Sequence, residues 1–218
     1  MRTRFDQELE RLNTEIIEMG GMIESAIGNA VTALVNQDVE LARVAIESDR
    51  EIDEMERQIE RHCLRLLLQQ QPVAADLRLI STALKLITDM ERIGDHAEDI
   101  SEITLRLAGE QYTMDIDHLN RMAKAATGMV KKSVDAFVAR DKDMASEVIA
   151  DDDVIDALFD SAKTELIRLI QLDAANGEQA VDFLLVAKYF ERIGDHAVNI
   201  AQWVIFSVTG EHKRERIL

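Results

Sequence analysis

Proline occurs once in the 218 residues, as Pro72, and aromatic side chains make up only 4% of the chain. Sheets draw heavily on aromatic residues and long helices tolerate little proline, so this scarcity argues against a sheet-built fold. Cysteine also occurs once, as Cys63, which excludes an internal disulfide and fits a reducing compartment. Positive charge is short: 25 Lys and Arg face 42 Asp and Glu, for a net charge of −17. Such a surface repels a phosphate backbone or an anionic leaflet, and no basic patch exceeds Lys213-Arg214. Nucleic acid and membrane surfaces are therefore disfavoured as partners, whereas cations and basic protein surfaces are favoured. Nowhere do about 18 uncharged apolar residues follow one another, so membrane insertion is not expected. The opening Met1-Arg2-Thr3-Arg4-Phe5-Asp6 also lacks the apolar run of a secretory signal. The expectation is a soluble, cytoplasmic protein.

What is present suits long helices. Hydrophobic residues make up 47%, enough for a proper core, with abundant Leu, Ile, Ala, Glu, Asp and Arg. After Pro72, Leu79, Ala83, Leu86, Met90, Ile93, Ala97, Ile100, Thr104 and Leu107 fall in alternating steps of four and three. That spacing aligns them along one stripe of a helix. Phe183, Val186, Phe190, Ile193, Ala197, Ile200 and Val204 repeat the pattern, and Ala45, Ile52, Met55, Ile59 and Leu66 form an earlier stripe. Asp38 reads as an N-cap, Gln71-Pro72 as a stop followed by a start, Gly109 and Gly210 as stops, and Asn176-Gly177 as a tight connection. The spacing predicts helices over roughly 5–36, 39–70, 72–108, 115–139, 142–174 and 178–209. Gly20, Gly21 and Gly28 mark a bend in the first helix or the close approach of a neighbour. Cys63 and His62 read as core residues.

The chain is a duplication. Asp38, Asp49, Ile52, Asp53, Arg65 and Leu66 recur 103 residues later as Asp141, Asp152, Ile155, Asp156, Arg168 and Leu169. Glu91-Arg92-Ile93-Gly94-Asp95-His96-Ala97 recurs letter for letter 100 residues later, from Glu191 to Ala197. The fold class that follows is all-α, with two tandem repeats, each a three-helix bundle: residues 1–110 and residues 111–218 with a short tail.

Packing explains Ile93 and Ala97, and a close contact would explain Gly94, but Glu91, Arg92, Asp95 and His96 need another reason. Glu91 and Asp95 lie one turn apart, off the apolar stripe, and Asp99 continues their column. A helical hairpin turning near Gln71 sets Asp49 and Asp53 beside Glu91 and Asp95. The second hairpin sets Asp152 and Asp156 beside Glu191 and Asp195. A solvated acidic face is the plain reading of one such column, at a repulsion of about 0.2–0.5 kcal/mol per exposed pair. Carboxylates converging across a hairpin, twice in one chain, demand a counter-ion, and oxygen-only ligand sets suit Mg²⁺, Mn²⁺, Ca²⁺ or iron. Arg92 and Arg192 read as ion-pair partners that hold the carboxylates. His96 and His196 read as hydrogen-bonded histidines between helices.

These residues carry a resemblance. Gln70-Gln71-Pro72-Val73-Ala74-Ala75-Asp76-Leu77-Arg78, the doubled Glu-Arg-Ile-Gly-Asp-His-Ala, the opening Phe5-Asp6-Gln7-Glu8-Leu9 and the ending through Trp203 and Thr209-Gly210-Glu211 are similar to the PhoU family of phosphate-uptake regulators. The resemblance implies two related three-helix bundles and multinuclear metal clusters on their surfaces, with iron, manganese, magnesium or zinc as candidate metals. The residues implied are Asp49, Asp53, Glu91, Asp95 and Asp99 in the first repeat, and Asp152, Asp156, Glu191, Asp195 and Asn199 in the second. It further implies a negative regulator of phosphate uptake and of the phosphate-starvation response. In that role, the resemblance implies, a homodimeric adaptor links the nucleotide-binding subunit of the phosphate ABC transporter to a sensor histidine kinase. Asp99 against Asn199 implies two sites of different charge.

Catalysis is not expected. A di-iron oxidase of the ferritin type uses Glu-x-x-His pairs facing the bundle interior, and the chain contains no Glu-x-x-His. A surface dinuclear hydrolase lacks an accompanying nucleophile, phosphate loop or basic clamp. A helical scaffold, with or without metal, and a surface dinuclear metal hydrolase are the alternatives.

Overall fold

The computed structural model describes residues 2–70, 73–113, 116–212 and 215–216. Six helices follow one another: α1 (Arg2–Asn36), α2 (Val39–Gln70), α3 (Ala74–Leu107), α4 (Asp117–Ala139), α5 (Lys142–Leu172) and α6 (Gly177–Thr209). The boundaries lie within a few residues of those read from periodicity. The exception to the all-helical reading is a two-residue hairpin, Glu211–His212 against Glu215–Arg216. The Gln71-Pro72 stop and the Lys213-Arg214 patch lie outside the described residues.

The ends of the helices have local causes. Asp38 Oδ1 accepts from Leu41 N at 3.0 Å and opens α2. Asp141 Oδ1 accepts from Asp143 N at 2.9 Å and Met144 N at 3.0 Å and opens α5, so an aspartate satisfies otherwise unpaired amides at both places. Immediately before each cap the chain turns through a left-handed residue, Gln37 at φ 52° and Arg140 at φ 53°. Neither is glycine, although this region costs most side chains about 1–2 kcal/mol. Bonds from Asp38 N to Ala33 O and from Asp141 N to Ala136 O, both 2.9 Å, close the preceding helices and offset that cost. Gly210, at φ 80°, ends α6, and Gly109 takes φ 86° just beyond α3. Gly177 is an ordinary helical residue, the first of α6; the tight connection before it is a 3-10 turn, Ala174–Asn176, whose Ala175 N donates to Asp173 Oδ1 at 2.9 Å.

Within a repeat the three helices cover one another, α1, α2 and α3 in the first and α4, α5 and α6 in the second. The repeats then join through α3 against α6 and α1 against α4. One core runs through both, from Leu12, Ile16 and Ile23 of α1 through Ile93 and Ile193 to Phe190 and Ile200 of α6. Burying each such side chain contributes about 1.5–3 kcal/mol, so the duplicated halves stabilise each other. Gly20 lies at the α1–α4 contact, where a methyl group would lie 3.4 Å from Val134 Cγ1, at ordinary contact distance. Gly21 and Gly28 face nothing within 4 Å, and α1 continues through them.

His62 and Cys63 are buried as read, but His62 is not a plain packing residue. Its Nδ1 lies 2.7 Å from Glu15 Oε2 and its Nε2 3.1 Å from Glu8 Oε2, with Arg11 Nε on Glu15 Oε1 at 3.1 Å. Burial, then the Glu15 charge, push the Cys63 thiol up to about 12. The repeat-equivalent pair is reversed: His118 Nε2 lies 3.2 Å from Glu165 Oε2, on α4 and α5.

Candidate metal centre

The hairpin α2–α3 brings its acids together by bringing its backbones together. A methyl group at Gly94 would stand 3.1 and 3.2 Å from Ile52 and 3.2 Å from Asp49 Oδ1, closer than a side chain normally tolerates. That approach sets α2 and α3 close enough for Asp49, Asp53 and Asp95 to place carboxylate oxygens within 4.8 Å of one another. Asp53, Glu91 and Asp95 are 31%, 21% and 29% exposed, which makes this a half-buried surface site open to solvent. A groove of about 710 Å³ beside it, along α2, is lined by Glu47, Arg50, Glu51, Asp53, Glu54 and Arg57.

The electrostatics are those of an under-neutralised cluster. Burial, then Asp95, Asp53 and Asp99, push the Asp49 carboxyl up to about 6. Burial, then Asp49, Glu102, Asp95 and Asp99, push Glu98 up to about 7. Glu91 is raised by burial and then Asp95, and Glu56 by burial and then Glu60. Two arginines oppose this: Arg92 reaches Asp95 Oδ2 at 2.7 Å and Glu91 Oε2 at 3.4 Å, and Arg57 reaches Asp53 Oδ2 at 2.9 Å. Glu56 and Glu98 did not emerge from the doubled motif, because the second repeat has Phe159 and Val198 at their places. Their signal was the helical spacing itself, three residues beyond Asp53 and Asp95.

The second hairpin repeats the close backbone approach with fewer acids around it. A methyl group at Gly194 would meet Ile155 at 3.1 and 3.4 Å and Asp152 Oδ1 at 3.5 Å. Burial, then Asp156, Asp195, Glu191 and Asp153, push Asp152 up to about 6, and burial with Glu191 raises Asp195. Lys188, where the first repeat has Thr88, pairs with Glu191 and lies 5.5 Å from the centre of the Phe159 ring. Asn199 Nδ2 donates to Asp89 Oδ1 of α3 at 3.2 Å. That bond engages the amide nitrogen, whereas a metal would take the amide oxygen. Among the described residues, only the first cluster brings three metal-ligating groups within 4.8 Å.

Between the clusters the two copies of the heptapeptide meet. The His96 and His196 rings lie 5.6 Å apart, and His96 lies 5.4 Å from the Tyr189 ring. His196 Nδ1 reaches Asp89 Oδ1 at 2.8 Å, the bond between helices read for it, whereas His96 Nδ1 reaches Asp99 Oδ2 on its own helix at 3.3 Å. Burial lowers the His96 imidazole against the pull of Asp99, with His196 and then Arg192 adding to the fall, and burial with Asp99 raises the Tyr189 hydroxyl against Arg192.

An independent sign bears on whether these acids suit a cation. Asp49 Oδ1 and Asp152 Oδ1, equivalent atoms in the two repeats, are each buried with no hydrogen-bond partner. A buried acceptor left bare normally costs about 1–3 kcal/mol, and one cation beside each carboxylate would relieve it. Oxygen donors alone, half exposed and mostly carboxylate, fit a hard or borderline metal with waters completing its shell.

Comparison with known proteins settles the family. Residues 16–104 and 119–204 each match the PhoU domain. The chain belongs to the PhoU family. It is 40% identical over 211 residues to a phosphate-specific transport system accessory protein PhoU homolog of Clostridium acetobutylicum, covering 96% of each chain. To the phosphate-specific transport system accessory protein PhoU of Escherichia coli it is 32% identical over 211 residues, covering 97% of this chain and 88% of that one. Among solved structures, PhoU from Pseudomonas aeruginosa matches with a TM-score of 0.90 and 34% identity, over 94% of this chain and 99% of that one. The phosphate transport system regulatory protein PhoU from Streptococcus pneumoniae matches with a TM-score of 0.87 and 28% identity, over 95% and 98%. The doubled family match and the close match to both PhoU structures agree with the all-helical, two-repeat fold. No helix among the described residues is long and apolar enough to cross a membrane.

Proposed function

We infer that this protein is an accessory regulator of phosphate transport and acts as an adaptor rather than a catalyst. The observation that carries the reading is the match to the PhoU domain in both repeats, together with end-to-end similarity to accessory proteins of the phosphate-specific transport system. The finer reading is negative regulation. With phosphate plentiful, the protein restrains uptake and keeps the phosphate-starvation response off, by contacting the nucleotide-binding subunit of the transporter and the sensor histidine kinase in the cytoplasm, as a homodimer. Its charge of −17 favours basic docking surfaces, and such contacts weaken with salt.

The two acidic clusters are metal sites in this reading. Asp49, Asp53, Glu91 and Asp95 hold the first metal group, with Asp99 at its edge, and Asp152, Asp156, Glu191 and Asp195 hold the second, with Asn199 at its edge. Iron, manganese, magnesium and zinc are the candidates. A bound metal supplies positive charge that neutralises the converging carboxylates and ties α2 to α3 and α5 to α6. The chain's own groups do the rest: Arg92 orients Glu91 and Asp95, and Lys188 draws Glu191 aside in the weaker second site. The test is a reporter driven by a phosphate-starvation promoter in a host that has the transporter. Deleting the gene leaves the reporter on in high phosphate; full repression in the deletion strain contradicts the regulatory reading.

A further inference from the structure

Glycine is a poor helix residue, yet both copies of the heptapeptide place one in mid-helix, at Gly94 and Gly194. The gaps above them differ. Over Gly94, a methyl group would press on two things at once: Ile52, at 3.1 and 3.2 Å, and Asp49 Oδ1, at 3.2 Å. Over Gly194 it would press on Ile155 at 3.1 Å, while Asp152 Oδ1, at 3.5 Å, is in ordinary contact. Ile52 is fully buried and cannot retreat. Asp49 is half exposed and can, but only by turning its carboxylate away from the position in which Oδ1 is buried without a partner.

We propose that Gly94 is a positioning residue of the first metal centre: its missing side chain is the seat of the Asp49 carboxylate, and Gly194 serves packing alone. The proposal rests on the metal reading of the clusters. The physical argument is geometric. A carboxylate displaced by a few tenths of an ångström changes its angle to Asp53 and Asp95, and groups that orient a ligand typically govern about 10–100-fold in metal affinity.

The test uses the full chain and Mn²⁺ as the probe, followed by calorimetric titration. The first site is measured in a background carrying Asp152→Asn and Asp195→Asn, and the second in one carrying Asp49→Asn and Asp95→Asn. Gly94→Ala is expected to weaken Mn²⁺ binding at the first site by about 10-fold or more, whereas Gly194→Ala leaves the second site nearly unchanged. Adding Ile52→Val to Gly94→Ala removes the closest methyl contact. That double variant recovers the unfolding midpoint in chelator but not the Mn²⁺ affinity, which separates seating a ligand from packing a core. It is also the variant to titrate if Gly94→Ala alone does not fold. The inference is overturned if Gly94→Ala binds Mn²⁺ as the parent does, or if Ile52→Val restores affinity together with stability. A parent chain that binds no Mn²⁺ at either site overturns the metal reading, and this inference with it.

Discussion

Replacing Asp49 with Asn keeps the shape of the side chain and removes its charge, and the structure sets the size of the effect. Burial, with Asp95, Asp53 and Asp99, places the folded-state Asp49 carboxyl at about 6, against an ordinary 3.8. A carboxyl raised in this way binds its proton more tightly folded than unfolded, so it favours folding below about pH 4 and loses that contribution as pH rises through about 6. The difference corresponds to about 3 kcal/mol at most, and partial exposure with salt screening reduces it to about 1–2 kcal/mol. In the presence of chelator near neutral pH, Asp49→Asn should therefore be more stable than the natural chain by about 1–2 kcal/mol, or a few degrees in Tm at about 2–4 °C per kcal/mol. The gain should vanish by about pH 4, where both side chains are neutral. Asp152, at about 6, and Glu98, at about 7, carry the same sign, so the metal-free chain as a whole loses stability across that range. Mn²⁺ should invert the order near neutral pH, because only the natural carboxylate can serve as a charged ligand. Urea unfolding followed by helical circular dichroism, with chelator and with Mn²⁺, reads all of this. An Asn variant no more stable than the natural chain in chelator, or a gain that persists undiminished in acid, refutes the reasoning.

Two other substitutions probe differences between the repeats. Lys188→Thr, which installs the residue of the first repeat, should free Glu191 and raise Mn²⁺ affinity at the second site several-fold in a titration with the first site disabled. Glu15→Ala should cost about 1–3 kcal/mol in urea unfolding, since it strips the buried His62 Nδ1 of its partner, whereas Glu165→Ala, in the half-exposed reversed pair, should cost well under 1 kcal/mol.

The helices and their duplication were legible because apolar residues recur in steps of three and four along α3 and α6, and because a block of α2 and the heptapeptide of α3 recur about a hundred residues later. The two-residue connections after α1 and α4 were legible only in part. Asp38 and Asp141 announce a cap, but nothing in Gln37 or Arg140 announces a left-handed turn, which backbone bonds to Ala33 and Ala136 impose. For the site, hairpin arithmetic placed the acids of α2 beside those of α3, since antiparallel helices have one register. It missed Glu56 and Glu98 because attention to what the repeats share hides what only one contains. Asn199 shows another limit: periodicity places it in the column, but the partner of its amide nitrogen, Asp89, belongs to the other repeat. The reversed Glu15–His62 and His118–Glu165 pairs stayed hidden because periodicity shows that a residue is inside and not which polar group it meets there.

The central claim is that the clusters formed by the two hairpins are what the regulator works through. The most direct measurement is the phosphate-starvation reporter in the deletion strain, complemented at equal protein level by the natural chain or by a chain carrying Asp53→Ala and Asp95→Ala. The natural chain should silence the reporter in high phosphate, and the variant, folded but lacking the first cluster, should leave it on. A variant that silences the reporter as completely as the natural chain would contradict the claim.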